Sequence, residues 1–270
     1  MNASAAESAT DKTRQLIAVL QTADAPLYDK ARACQQLGEF GTRDAVPALA
    51  ALLGDEKLSA FARSGLEGIP DPGAAAALRS AAETLKGKLL VGVVISLGTL
   101  RDEKATALLT RLAEDPSSGA SAEAMLALGR IANKEALKTL RQALTNGSDT
   151  VRANAAAGCL VAADTHLAQK RNSDAVEQYD VVRQANVPLT YRAAATRGAI
   201  VARKTKGTQL LVEQLRSNER IIRNAAVLSI RQIPSDALAK ALNAELSRAP
   251  ADLQVQIIDS LIYCHDSKSL

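Results

Sequence analysis

The chain has 270 residues, of which 47% are hydrophobic but only 2% aromatic, with no Trp and a formal net charge of +4. Apolar mass drawn from Ala, Leu, Val and Ile suits thin layers of closely packed helices and leaves few aromatic walls for a conventional enzyme pocket. No run approaches the roughly 18 apolar residues of a membrane span, so membrane insertion is not expected.

A small residue returns about every 30 positions: Gly38, Gly68, Gly98 and Gly129, then Gly158, Gly198, Ser229 and Ser260, with one step of 40 between Gly158 and Gly198. A fixed period of this size predicts stacked two-helix units rather than one globular core. Each unit of such an array touches only its neighbours, so length is no sign of a domain boundary, and a single array over residues 11–270 is expected.

In chain order, residues 1–10 (MNASAAESAT) read as a disordered polar tail without the apolar stretch of a signal peptide. The first unit is predicted as helices over 28–38 and 44–53, with Pro47 in the first turn of the second, where a missing N–H costs least. The second runs over 58–68, crosses Pro70 and Pro72, and resumes over 74–85. The third, 88–98 and 103–114, opens with a helix apolar nearly all round, as expected for the middle of a stack. The fourth, 120–131 and 134–145, carries an amphipathic stripe, with Ala136, Leu137, Leu140, Ala143 and Leu144 inward and Lys138, Arg141 and Gln142 outward.

The fifth unit is about ten residues longer, with helices over 151–168 and 175–184. The rhythm resumes over 191–201 and 208–215, then 221–230 and 236–247. An eighth first helix, 252–263, is followed only by CHDSKSL, so the array is either frayed there or cut from something longer. Taken as complete, the sequence implies a cytoplasmic protein; with a signal peptide removed it would be extracytoplasmic or periplasmic.

The segments VRANAAAGCL, TRDAVPALAALLGD and IRNAAVLSI resemble HEAT and HEAT-like repeats over about residues 26–263. The stretch 57–105 is more narrowly similar to HEAT regions of large bacterial extracytoplasmic proteins, and LAQKRNSDAVEQYDVVRQA resembles a tetratricopeptide helix pair. The resemblance implies an all-α, right-handed α-solenoid of about seven to eight helix pairs, with first helices outside and second helices lining a concave face. One irregular, tetratricopeptide-like pair is expected near 158–198. HEAT arrays mostly bind proteins, a minority bind nucleic acid, and a few relatives act as lyases or DNA glycosylases, so no reaction follows from the resemblance.

A protein partner would meet the outward residues of second helices, here Lys134, Lys138, Arg141 and Gln142, then Glu177 and Arg183 on the next unit. Between Arg183 and Arg231 ten Lys/Arg face two acids, Glu213 and Glu219. Within that block Arg203, Lys204, Lys206, Arg216 and Arg220 form a candidate patch for an acidic protein, a glycan or nucleic acid, although Tyr191 alone would offer a stacking surface. Arg32, Arg152, Arg192 and Arg223 each stand six residues before the small residue. They read either as a phosphate-binding ladder or, because they recur with the repeat, as structural groups satisfying turn carbonyls and neighbouring acids.

Cys34, Cys159 and Cys264 form no CxxC pair and read as small buried hydrophobes. His166 and His265 stand far apart with no ligand spacing around them; a bare His265–Asp266 neighbour pair is a weak signal. Glu177 and Asp180 share a helix face, which in the presence of nearby Lys/Arg suggests surface ion pairs. None of the GxSxG, HExxH or GxxxxGK[ST] patterns occurs. The expectation is a non-catalytic scaffold without metal or cofactor.

Overall fold

A computed structural model describes residues 3–265. These residues form an all-α solenoid in which sixteen α-helices and four short 3-10 turns follow one another in pairs, with no strand among the described residues. The chain divides into two compact units, Met1–Ala136 and Leu137–Leu270. The repeat rhythm runs through that point without a break and carries no sign of it.

The first unit opens with α1 (Ala3–Gln21). Residues 3–10, expected as a disordered tail, are therefore helical. Four of these eight residues are Ala, the strongest helix former, and neither Gly nor Pro interrupts the chain before Pro26. A polar Ala-rich stretch satisfies helix propensity as readily as it satisfies a tail.

The first helices of this unit, α2 (Leu27–Phe40), α4 (Ser59–Gly68), α6 (Gly87–Thr99) and α8 (Ser121–Ile131), stack in order, each on the next. The intervening second helices are α3 (Val46–Ala50), α5 (Pro72–Ala82) and α7 (Thr106–Glu114). The first of these is shorter than the predicted 44–53. A 3-10 turn at Arg43–Ala45 precedes it, and the chain returns to turns after Ala50. A second 3-10 turn, Glu103–Ala105, opens α7, with the Asp102 carboxylate accepting from Lys104 N at 3.3 Å.

The repeat glycines mark where one helix backbone meets the next. A Cβ on Gly68 would lie 2.1 Å from the carbonyl oxygen of Gly38, and one on Gly98 would lie 2.8 Å from Cα of Ala127. Beside this seam the core is aliphatic: Leu37, Leu49, Leu66, Leu78, Leu97, Leu109 and Leu128 are all fully buried. The mostly apolar α6 is covered by α4, α5 and α8, and of its large apolar residues only Ile95 is appreciably exposed.

The helix α9 (Lys134–Asn146) begins at the end of the first unit and continues in the second. The second unit then contains α10 (Asp149–Ala168), α11 (Asn172–Gln184), α12 (Leu189–Ala202), α13 (Thr208–Leu215), α14 (Arg220–Ile230), α15 (Asp236–Leu246) and α16 (Ala251–His265). Here α10, α11 and α12 pack mutually, as the longer fifth unit demands, and beyond them α12 stacks on α14, α14 on α16, and α13 on α15. Ser148 and Ser235 cap α10 and α15 through their side-chain oxygens, satisfying N–H groups that a helix start leaves unpaired. Gly198 serves a different purpose from Gly68: its missing Cβ leaves room for the Tyr179 ring, which would otherwise stand 2.4 Å away.

Candidate interaction surface and its charged side chains

On α9 the phase read from the sequence is observed. Ala136, Leu140 and Leu144 are buried and Leu137 and Ala143 half-buried, while Lys134, Lys138 and Gln142 are exposed. Spacing of four puts those three exposed residues on one side of the helix. Lys134 belongs to the first unit and the others to the second. Arg141 is half-buried, and its Nη2 donates to Glu177 Oε1 of α11 at 2.9 Å. The second unit thus shows a polar ridge in which α9 and α11 are joined by an ion pair, with Lys138 and Gln142 flanking it. Arg183 departs from the expectation: its Nε and Nη2 both reach Asp180 Oδ1 at 3.3 Å, and only 18% of its side chain is exposed. A partner would find this guanidinium already engaged one turn away on its own helix.

The basic block is less positive than its composition. Arg203 pairs with Asp180 and donates from Nη1 to the Ala199 carbonyl at 3.0 Å. Arg216 grips Glu245 with two nitrogens, Nε to Oε2 at 2.9 Å and Nη2 to Oε1. Both acids lie outside residues 183–231, so counting charge within the segment missed them. The hydrogen bond from Arg216 holds the Glu245 carboxyl below the usual carboxylate range against the opposing effect of burial. Lys204, Lys206 and Arg220 remain exposed.

Three of the four repeat arginines satisfy turn carbonyls. Arg152 donates to Gly147 O at 2.7 Å and Asn186 O at 3.1 Å, and also pairs with Asp149. Arg192 reaches Arg183 O at 3.2 Å, and Arg223 reaches Ser217 O at 2.8 Å and Asn218 O at 3.0 Å. These guanidiniums close the ends of neighbouring helices and form no free ladder for phosphates. Arg32 makes no such bond; it is exposed on the wall of a cavity of about 360 Å³ beside Leu16, Val19 and Asp29.

Sequence reasoning missed Arg63, which crosses from α4 to α6 to donate to Gly92 O at 3.1 Å and Ser96 Oγ at 3.2 Å. Its signal was present, since it stands five residues before Gly68, and Gly92 leaves space that a Cβ would take from the guanidinium. Also unforeseen was the pair between Arg79 of α5 and Asp102, which ties a second helix to the turn that opens the next.

Burial pushes the Cys34 thiol up to about 11 and the Cys159 thiol up to about 12, so both are protonated at neutral pH and poor nucleophiles. His166 is buried, with neither ring nitrogen hydrogen-bonded. Burial first, then the nearby Arg171, holds its pKa below the ordinary 6.5. Tyr179 donates to Asp164 Oδ1 at 2.6 Å, and burial together with that bond pushes its phenol up. The side chains of Cys264, His265 and Asp266 lie outside the described residues. Among the described residues no group of three His, Cys, Asp or Glu is placed to hold a metal ion, and no helix is long and apolar enough to cross a membrane.

Paired helices stacked across glycine seams, with charged residues on the outward side of α9 and α11, define a helical-repeat fold. Residues 86–160 match the family model for HEAT repeats and residues 30–55 match that for the PBS lyase HEAT-like repeat, so these two segments carry HEAT repeats. No curated protein matches it. Among solved structures it is similar to human deoxyhypusine hydroxylase, with 17% identity, 83% of this chain and 97% of the other covered, and a TM-score of 0.41. It is also similar to an engineered protein, with 21% identity, 98% and 81% covered, and a TM-score of 0.42. A third likeness is to the complex of CpcE and CpcF of phycocyanin lyase from Nostoc sp., with 19% identity, 93% and 94% covered, and a TM-score of 0.36. None of these likenesses carries anything about activity to this chain.

Proposed function

We propose that this protein is a non-catalytic interaction scaffold that binds a protein partner on the exposed face of its second helices, centred in the second unit on Lys138, Arg141, Gln142 and Glu177. The observation that carries the reading is the ridge joining α9 to α11: two exposed polar side chains flank an ion pair whose members are 37% and 58% exposed. A rigid pair of helices presents such groups with little ordering cost on binding, which favours recognition over chemistry. The buried, protonated Cys34 and Cys159 and the buried neutral His166 offer no activated nucleophile or base at that surface.

Affinity capture from native extract at low and high salt, after nuclease treatment, tests this reading when run in parallel with the K138E/Q142E variant. One stoichiometric protein retained by wild type and lost by the variant supports the scaffold. Retention by the variant, or capture of nothing specific, refutes the assignment of this face. A second reading draws on the exposed Lys204, Lys206 and Arg220: binding of an acidic polymer there would be salt-labile, and for nucleic acid also nuclease-sensitive.

A further inference from the structure

A cavity of about 430 Å³ in the second unit gathers two arginines and one glutamate against an aliphatic wall. Arg216 follows the end of α13, Arg248 follows the end of α15, and Glu245 lies one turn before Arg248; Leu215, Pro250 and Leu253 supply the apolar side. The carboxylate of Glu245 is buried and binds the Nε and Nη2 edge of Arg216. More than half of the Arg216 side chain is exposed, and its Nη1 has no partner. Arg248 is exposed with no hydrogen bond from its guanidinium, yet it is near enough to Glu245 to help keep that carboxyl ionised. A guanidinium carries five N–H donors, so Arg248 and the outer edge of Arg216 leave a surplus of donors over acceptors in the cavity.

We propose that this cavity is a docking site for a peptide segment that carries one carboxylate beside an aliphatic side chain. Charge fixes the class of ligand. Two guanidiniums and one carboxylate leave the cavity with a single net positive charge, which one incoming carboxylate neutralises. A nucleic-acid strand would bring successive phosphates against Glu245 and would find no aromatic side chain in the lining on which to stack. Leu215 and Leu253, nearly removed from solvent by their own packing, offer their remaining surface to an aliphatic neighbour of the carboxylate. The site lies at the helix ends on α13, α15 and α16 rather than on the α9–α11 ridge, and it goes beyond the scaffold reading: either can fail without the other.

The test uses the full chain and a fluorescein-labelled peptide, Ser-Gly-Leu-Glu-Leu-Gly-Ser, followed by fluorescence anisotropy at moderate salt. Saturable binding is expected, weakened about tenfold when Gln replaces the peptide Glu and about tenfold by R248Q, the effect of losing one charge-assisted hydrogen bond. Because Arg248 supports no other side chain, R248Q should melt with wild type, and K138E should bind the peptide unchanged. R248E should reverse the preference and favour a third peptide in which Lys replaces the Glu. Equal binding of the Glu and Gln peptides, indifference to R248Q, absence of saturable binding, or displacement by an equimolar twelve-nucleotide poly-dT strand would each overturn the proposal.

Discussion

The substitution Gly68→Ala places one methyl group where α4 meets the backbone of α2. The added Cβ would stand 2.1 Å from Gly38 O, 2.7 Å from its carbonyl carbon and 2.8 Å from its Cα. Real Cβ atoms essentially never approach another heavy atom closer than 3.0 Å, so the two helices would have to part by about 1 Å, and no rotamer change can relieve a carbonyl held within its own helix. Overpacking of this kind costs about 1–3 kcal/mol, and a rigid obstacle places it at the upper end. Against that stands a helix-propensity gain of at most ~1 kcal/mol, reduced because Gly68 is the last residue of α4. The net expectation is a loss of about 2 kcal/mol, or about 1 M in the urea midpoint for a slope near 2 kcal/mol per M. Gly38→Ala is the internal control. Its Cβ would meet Gly65 Cα and Ser64 O at 3.2 Å, tight but relievable, with a similar propensity gain. Urea unfolding followed by helical circular dichroism gives the midpoints, and amide exchange of α2 and α4 locates the loosening. A G68A midpoint equal to or above that of G38A would refute the seam as a backbone contact.

Three other perturbations probe the second unit and the arginines. Arg152→Ala removes donors to two carbonyls from a side chain that is 20% exposed and should cost about 2 kcal/mol, whereas Arg32→Ala should stay within about 0.5, and urea midpoints that do not separate would contradict the structural assignment. Tyr179→Phe leaves the ring beside Gly198 but removes the bond to Asp164, for a loss of about 1 kcal/mol; thermal melts showing no change would mean that bond carries no net stability. His166 has a folded pKa below its unfolded 6.5, so the unfolded chain takes up the proton first. Stability is then full above 6.5 and falls as pH drops through 6.5 toward the folded value. Urea midpoints between pH 7.5 and 5 should decline in wild type and decline less in H166Q; parallel curves would remove His166 as the cause.

What the sequence revealed was whatever has a local cause. A glycine at a fixed period reports close backbone approach, and Gly68 and Gly98 meet their neighbours at those points. The inward phase of α9 followed from apolar spacing because one residue's face fixes that of the next three. Ion pairs across helices have no such local cause. Asp180 answers Arg203 from 23 positions away and Glu245 answers Arg216 from 29, so a segment that reads as strongly basic is partly neutralised by residues beyond its ends. Arg141 and Glu177 were expected on adjoining repeats, but their contact at 2.9 Å depends on how far α9 and α11 are rotated about their own axes. The shortening of α3 and the helical start at Ala3 depended on balances of a few tenths of a kcal/mol per residue between helix and turn, which tertiary packing decides.

The glycine seam has a consequence for how such a chain diverges. Where side chains interlock, a lost methyl on one helix can be restored by a gained one on the next, and paired changes wander freely through a family. Where the main chains of Gly38 and Gly68 abut, there is nothing to exchange, and such compensation has no material to work with. Tolerance to replacement should therefore rise and fall along the chain with the same 30-residue beat that first exposes the architecture, its troughs at the slots where helix touches helix and its crests on the outward turns. A saturation library scored for folded yield would print that beat directly, and any partner-binding surface would appear in a second, activity-based score as a trough out of step with it.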